Sequence, residues 1–254
     1  MSSTSDKYEK DVADNIDGTI KGLKALRPKV STSYPDVMLE YAKFTGNNAV
    51  WVEVKMNHTD NLMNPRFQYV KGKWSVPESY KSVATDKLAD MLNADRPTKL
   101  WIADLKKYAK ENGFKGDVEK MSLYSSVTAR RNDPNSISLS IMKGFLATRP
   151  NKNITKIPGV DVGSLVTLHY TKGKAAVAYY VAAGDDFYQF GNANPLKIPK
   201  VPKFKGSNDV VFRVGDRSSN FEIQAEVKLK NMAKSPYSCQ PGSSKDNPFR
   251  FIGI

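Results

Sequence analysis

Three observations predict an α/β protein. An N-terminal stretch repeats apolar residues at helical spacing, two β-branched runs flank a glycine-asparagine turn, and helix-like and strand-like segments share the rest of the chain. Residues 6–26 read as a helix, with Tyr8, Val12, Ile16, Ile20 and Leu23 along one face and Asp6 and Glu9 spaced as a capping box. Gly18 and Gly22 weaken its second half, and Pro28 ends it.

Residues 36–42 (Asp-Val-Met-Leu-Glu-Tyr-Ala) and 49–56 (Ala-Val-Trp-Val-Glu-Val-Lys-Met) read as strands, and Thr45-Gly46-Asn47-Asn48 supplies turn chemistry. Alternation points Val50, Val52 and Val54 one way and Trp51, Glu53 and Lys55 the other. A two-residue loop at Thr45-Gly46 sets Val37, Leu39 and Tyr41 opposite Val54, Val52 and Val50. Asp36 then faces Lys55, with Glu53 on the diagonal about 7–8 Å away at the backbone. A loop at Gly46-Asn47 keeps these faces but moves Asp36 opposite Asn57. A one-residue slip turns Asp36 to the wrong side of the sheet.

Residues 57–77 read as irregular, broken by Asn64-Pro65 and Lys71-Gly72. Their Arg66, Phe67, Gln68, Tyr69, Lys71, Lys73 and Trp74 mix cations with aromatics. That mixture suits contact with a nucleic-acid backbone and base stacking, and equally a surface loop held down by its rings. Helices are predicted over 78–93 and 98–112, and Arg130-Arg131-Asn132-Asp133-Pro134-Asn135 is a turn-rich break that can approach phosphate. Short β runs follow at 164–170, 175–182, 187–190, 209–214 and 221–230. The alternation of proline, lysine and apolar residues over 195–205 reads as an extended basic arm, and the Ser/Pro/Gly-rich tail from Ser235 as loosely held. An N-terminal part over 1–135 and a basic β-rich part over 136–254, integrated in one α/β body, is the expected organisation.

The chain has 254 residues, 40% hydrophobic and 26% charged, which is ordinary for a globular protein with a real core. No run of about 18 apolar residues exists, the first thirty residues do not form a usual signal peptide, and Cys239 is the only cysteine. A reducing cytoplasm, a host's if the chain is phage-encoded, is therefore the expected compartment. Net charge is +13, with fifteen basic and thirteen acidic groups in residues 1–100 against twenty-four and thirteen beyond. Such an excess attracts polyanions, duplex DNA among them. Two histidines and one cysteine cannot build a tetrahedral zinc site without carboxylates, although His58 stands close to Asn57 and Asp60, and His169 reads as structural in a strand. No phosphate-binding glycine loop and no nucleophile turn is present.

Pro35-Asp36, then sixteen residues, then Glu53-Val54-Lys55 resembles the PD-(D/E)XK signature of restriction endonucleases and related phage and repair nucleases. The resemblance spans roughly residues 1–75 and implies a restriction endonuclease-like core, a mixed central sheet flanked by helices, with the basic β-rich half added. It implies Mg²⁺ held by Asp36 and Glu53, with Lys55 orienting or activating the attacking water. A glutamate on the first helix often assists in that family, which makes Glu9 a third candidate ligand, although the capping role explains Glu9 as well. The implied reaction is endonucleolytic hydrolysis of double-stranded DNA, and a homodimer is compatible with it. Arg66, Gln68, Lys71, Lys73, Arg130 and Arg131 are the candidate DNA contacts.

Two plainer readings stand beside this one. Glu53 and Lys55 can belong to the solvated face of an ordinary amphipathic hairpin, and the whole chain can be a non-catalytic basic nucleic-acid-binding or phage structural protein. A second Glu-Val-Lys at 226–228, with Asp216 ten residues earlier, alternates like a half-exposed strand with no chemistry.

Overall fold

The computed structural model describes residues 4–28, 34–41, 49–217, 219–228 and 233–253. In chain order the elements are α1 (Thr4–Ile16), β1 (Leu23–Leu26), β2 (Val37–Tyr41), β3 (Val50–Lys55), β4 (Asn61–Met63), β5 (Arg66–Val70) and β6 (Lys73–Ser75). There follow α2 (Val83–Ala94), α3 (Arg96–Glu111), α4 (Val127–Asn132), α5 (Leu139–Ala147), β7 (Asn153–Pro158) and α6 (Val162–Lys172). The chain finishes with β8 (Ala178–Ala183), β9 (Asp186–Gln189), β10 (Asp209–Arg217) and β11 (Asn220–Lys228). The α/β class is as expected.

The described residues form two compact units that interleave along the chain. One comprises residues 1–62, 161–207 and 228–254, the other 63–160 and 208–227. None of the points where the chain passes between them falls at residue 135. The basic excess is also even, +6 on the first unit and +7 on the second, so the charge step read along the sequence does not separate them.

The first unit is built on a five-stranded sheet of order β1-β2-β3-β8-β9. β1, β2 and β3 form an antiparallel meander, β8 lies parallel to β3, and β9 returns antiparallel. One face packs Leu23, Ala25, Val37, Leu39, Val52, Val54, Tyr180, Ala182 and Phe187 against Val12, Ala13 and Ile16 of α1. β3 sits centrally and is buried from Val50 to Val54, which is why its outward residues are not solvated as in an edge hairpin.

The second unit carries the antiparallel order β6-β5-β11-β10-β7. Its α2 starts on a Ser82–Thr85 capping box and α3 on Asp95, which takes the Thr98 N–H. Trp101 and Tyr108 of α3 pack on Phe145 of α5 with ring centroids 5.3 and 5.6 Å apart.

Several expectations are corrected. The predicted helix over 6–26 stops at Ile16, because Gly18 and Gly22 adopt left-handed φ of 66° and 87°; Leu23–Leu26 then becomes a strand with alternate residues buried. The stretch after Lys55 is not irregular: β5 and β6 form a hairpin through Lys71-Gly72, both at positive φ. Residues 164–170 are helical, since Asp161 caps α6 and Val162, Leu165, Val166 and Tyr170 are buried at helical spacing. His169 accordingly lies on a helix. Arg130 and Arg131 end the short helix α4. The proline-lysine segment runs along the surface but is no free arm, for Leu196 and Ile198 are buried in the core while Lys197 between them and Lys200 after them are exposed. The tail is anchored too: Tyr237, Cys239 and Phe249 belong to the same core.

Candidate active site

The β2–β3 register pairs Val37 with Val52 and Leu39 with Val50. This is two residues away from the predicted pairing of Val37 with Val54, so the faces are preserved while Asp36 comes level with Glu53. The predicted two-residue turn lies outside the described residues. Pro35 has no N–H to give the ladder, and β2 begins two residues later. The Asp36 carboxylate takes over there: Oδ2 accepts the Val54 N–H at 2.8 Å.

Glu53 is 2% exposed. Its Oε1 accepts from Lys55 Nζ at 2.6 Å and from the Tyr170 hydroxyl at 2.8 Å. Its other oxygen, Oε2, is buried and has no donor among the described residues. Burial opposes the Glu53 charge, but Lys55 and then Lys174 outweigh it and hold the carboxyl below its ordinary pKa. Burial also opposes the Lys55 ammonium, yet Glu53 and Asp36 raise its pKa, so it stays charged. Asp36 behaves oppositely. Burial, and next the Glu53 charge, push its carboxyl up to about 7 against the pull of Lys55 and the Val54 N–H. The solvated-hairpin reading is overturned by this burial.

Glu9 lies near enough to act electrostatically on both Asp36 and Lys55. Both its oxygens are engaged, Oε1 by the Ser5 hydroxyl at 2.9 Å and Oε2 by Arg27 Nε at 2.6 Å. Arg27 also holds Asp6, so the two acidic residues bind the end of β1 instead of forming the predicted capping box.

Sequence reasoning missed Tyr170 and Lys174. Tyr170 is buried on α6, stacked on Phe190 with centroids 4.8 Å apart, and Lys174 lies 5.5 Å from its ring centre. The sequence signal for Tyr170 is its helical spacing with Val162, Leu165 and Val166. His169 beside it is held to about 4, chiefly by burial and then by Lys174, and is neutral.

The six candidate DNA contacts all lie in the second unit. Arg66 is paired with the buried Glu222 at 2.7 Å and stands 5.3 Å from the centre of the Tyr80 ring. Gln68 Nε2 approaches the Ser75 hydroxyl at 3.4 Å. Arg130 bonds Asn220 Oδ1 at 2.6 Å and covers the Phe221 ring. Lys71, Lys73 and Arg131 are exposed. At the second Glu-Val-Lys, Glu226 is paired with Arg213 at 2.7 Å. Asp216 pairs with Phe221, five residues or about 17 Å along β11 from Glu226. His58 Nε2 lies 3.0 Å from Asp186 Oδ2, and Asp186 Oδ1 also takes Lys245 Nζ and the Ser235 N–H. Asp185 and Asp186 offset Lys245, so that cluster joins segments of the first unit and offers little positive charge to a phosphate.

Among the described residues no group of three or more His, Cys, Asp or Glu stands ready to hold a metal ion. Asp36 and Glu53 nevertheless fit Mg²⁺, which is commonly bound by one or two carboxylates and completes its shell with water and phosphate oxygens. The bare Glu53 Oε2 and the buried Asp36 carboxyl are the groups that such an ion would meet. No helix of the described residues is long and apolar enough to cross a membrane. In comparisons with known proteins, no family model, curated protein or solved structure matches the chain.

Proposed function

We propose that the protein is a Mg²⁺-dependent DNA endonuclease with a restriction endonuclease-like core in its first unit. The observation that carries this reading is the level placement of Asp36 and Glu53, with Lys55 on the same face and one Glu53 oxygen left bare. The order of elements supports it: α1, a meander carrying both halves of the motif, then α6 leading into β8 parallel to β3. The resulting sheet is mixed and carries helices, as the resemblance implies.

Asp36 Oδ1 and Glu53 Oε2 are the oxygens that would hold the ion. The chemistry such an ion would supply there is a lowered pKa for a bound water and an offset to charge on the phosphate. Lys55 keeps its proton, which makes it a donor to the attacking water or to the phosphate oxygens and not a general base. Its bond to Glu53 fixes where that charge stands. Glu9, engaged by Ser5 and Arg27, acts on the site through its field and not as a ligand. The basic surfaces of both units attract duplex DNA by counterion release.

Cleavage of a panel of supercoiled, genomic and phage DNA in Mg²⁺ tests this. Wild-type protein is expected to cut and EDTA to stop it. Asp36→Ala is expected to abolish cutting and Lys55→Ala to slow it by about a hundredfold or more, with DNA binding retained. An Asp36→Ala protein that cuts at the wild-type rate refutes the assignment. A salt-sensitive mobility shift across the panel with no cutting by wild type would favour the non-catalytic binding protein instead.

A further inference from the structure

We infer that Tyr170 is a positioning residue for the metal: its hydroxyl and Lys55 together occupy Glu53 Oε1 and so present Oε2 to the cation. This rests on the reading of Asp36 and Glu53 as the metal-holding pair. A buried glutamate has several rotamers and two equivalent oxygens, so something must decide which oxygen is bound internally. At Glu53 the division is complete. Oε1 has two donors, at 2.6 and 2.8 Å, while Oε2 has none among the described residues.

The Tyr170 ring is itself immobilised. It stacks almost parallel on Phe190, at 7°, meets the His169 ring edge-on, and has Lys174 near its ring at 5.5 Å. Its oxygen also lies 2.5 Å from the Leu62 carbonyl, so one hydroxyl hydrogen faces two acceptors. The charged carboxylate is the stronger acceptor, and the hydrogen is directed to Glu53. The backbone carbonyl contributes by fixing the oxygen in place. Ligating carboxylates in metal sites are characteristically oriented by such outer hydrogen bonds, whose loss typically weakens metal binding by about 10–100-fold.

Metal affinity measured without DNA tests this, by calorimetry with Mg²⁺ and by the electron paramagnetic resonance signal of free Mn²⁺, alongside thermal melting. Tyr170→Phe keeps the ring and removes the hydroxyl, and is expected to weaken metal binding by about tenfold or more. Tyr188→Phe removes a buried hydroxyl beside Asp186 and is expected to leave metal affinity unchanged. A Tyr170→Phe protein that melts earlier but binds metal as wild type overturns the inference, because that is how a merely structural tyrosine behaves. If Tyr170→Phe fails to fold, Phe190→Leu loosens the stacked ring while keeping the hydroxyl. It is expected to weaken metal binding severalfold, and unchanged affinity there also overturns the inference. Wild type that binds neither ion, or Glu53→Ala that binds both as well as wild type, refutes the metal site as a whole and the positioning role with it.

Discussion

At the scale of single residues, Asp36 and Glu53 divide one electrostatic problem unequally. Glu53 keeps its charge because Lys55 and Tyr170 donate to it, and Asp36 is left to hold a proton. The free Asp36 carboxyl titrates near 3.9 in an unfolded chain and near 7 here. Between these values the folded protein binds a proton that the unfolded chain has released. The stabilisation is therefore full below about pH 4 and is lost as pH rises through about 7. In EDTA, Asp36→Asn is expected to be more stable than wild type at pH 8, by no more than about 4 kcal/mol, and to melt higher there, while gaining little at pH 4. Thermal melts at the two pH values check this; no gain at pH 8 contradicts it. The same imbalance is what a divalent cation would relieve, in place of the proton. Asp36, Glu53 and Lys55 were legible in the sequence because alternation along a strand fixes which residues share a face. Their burial was not, since it depends on β8 and α6, more than a hundred residues away.

At the scale of elements, the boundary between α1 and β1 turns on two glycines. Gly22 has φ of 87° with only the Tyr41 ring 3.7 Å from where a Cβ would stand, so Gly22→Ala meets ordinary contact but a strained backbone. It is expected to cost about 1–2 kcal/mol, read as a lowered denaturant midpoint. Gly18→Ala, at φ 66° in open space, is expected to cost a similar amount. An unchanged midpoint in both would mean the turn is not held as described. The helical spacing of Tyr8, Val12 and Ile16 was readable, while the strand after it was masked because Ile20 and Leu23 happen to continue the same period. Residues 164–170 erred the other way. Their β-branched Val166 and Thr167 suggested a strand, and the Asp161 cap with its bond to the Ser164 N–H settled the helix. The hairpin register was readable to within two residues, the ambiguity that a conserved face leaves open.

At the scale of the whole molecule, the candidate site belongs to a unit assembled from three stretches of chain. Its C-terminal stretch fills the core with Tyr237, Cys239 and Phe249, and Asn15 ties it to α1 by accepting from Asn247 and donating to the Cys239 carbonyl. Composition favoured a loose tail, because serine, proline and glycine there outnumber the few large residues that anchor it. Cys239 is buried, and burial raises its thiol pKa. A thiol reagent is therefore expected to label it only on unfolding; rapid labelling of native protein contradicts the anchored tail. Cleaving the chain after Lys234 is expected to abolish cooperative unfolding of this unit, as followed by near-ultraviolet circular dichroism. The central claim, that Asp36 and Glu53 share a divalent cation, is tested most directly by anomalous diffraction from crystals soaked in Mn²⁺. A peak bridging Asp36 and Glu53 Oε2 is the predicted result, and a map with no peak there, or with one at Glu226 instead, contradicts it.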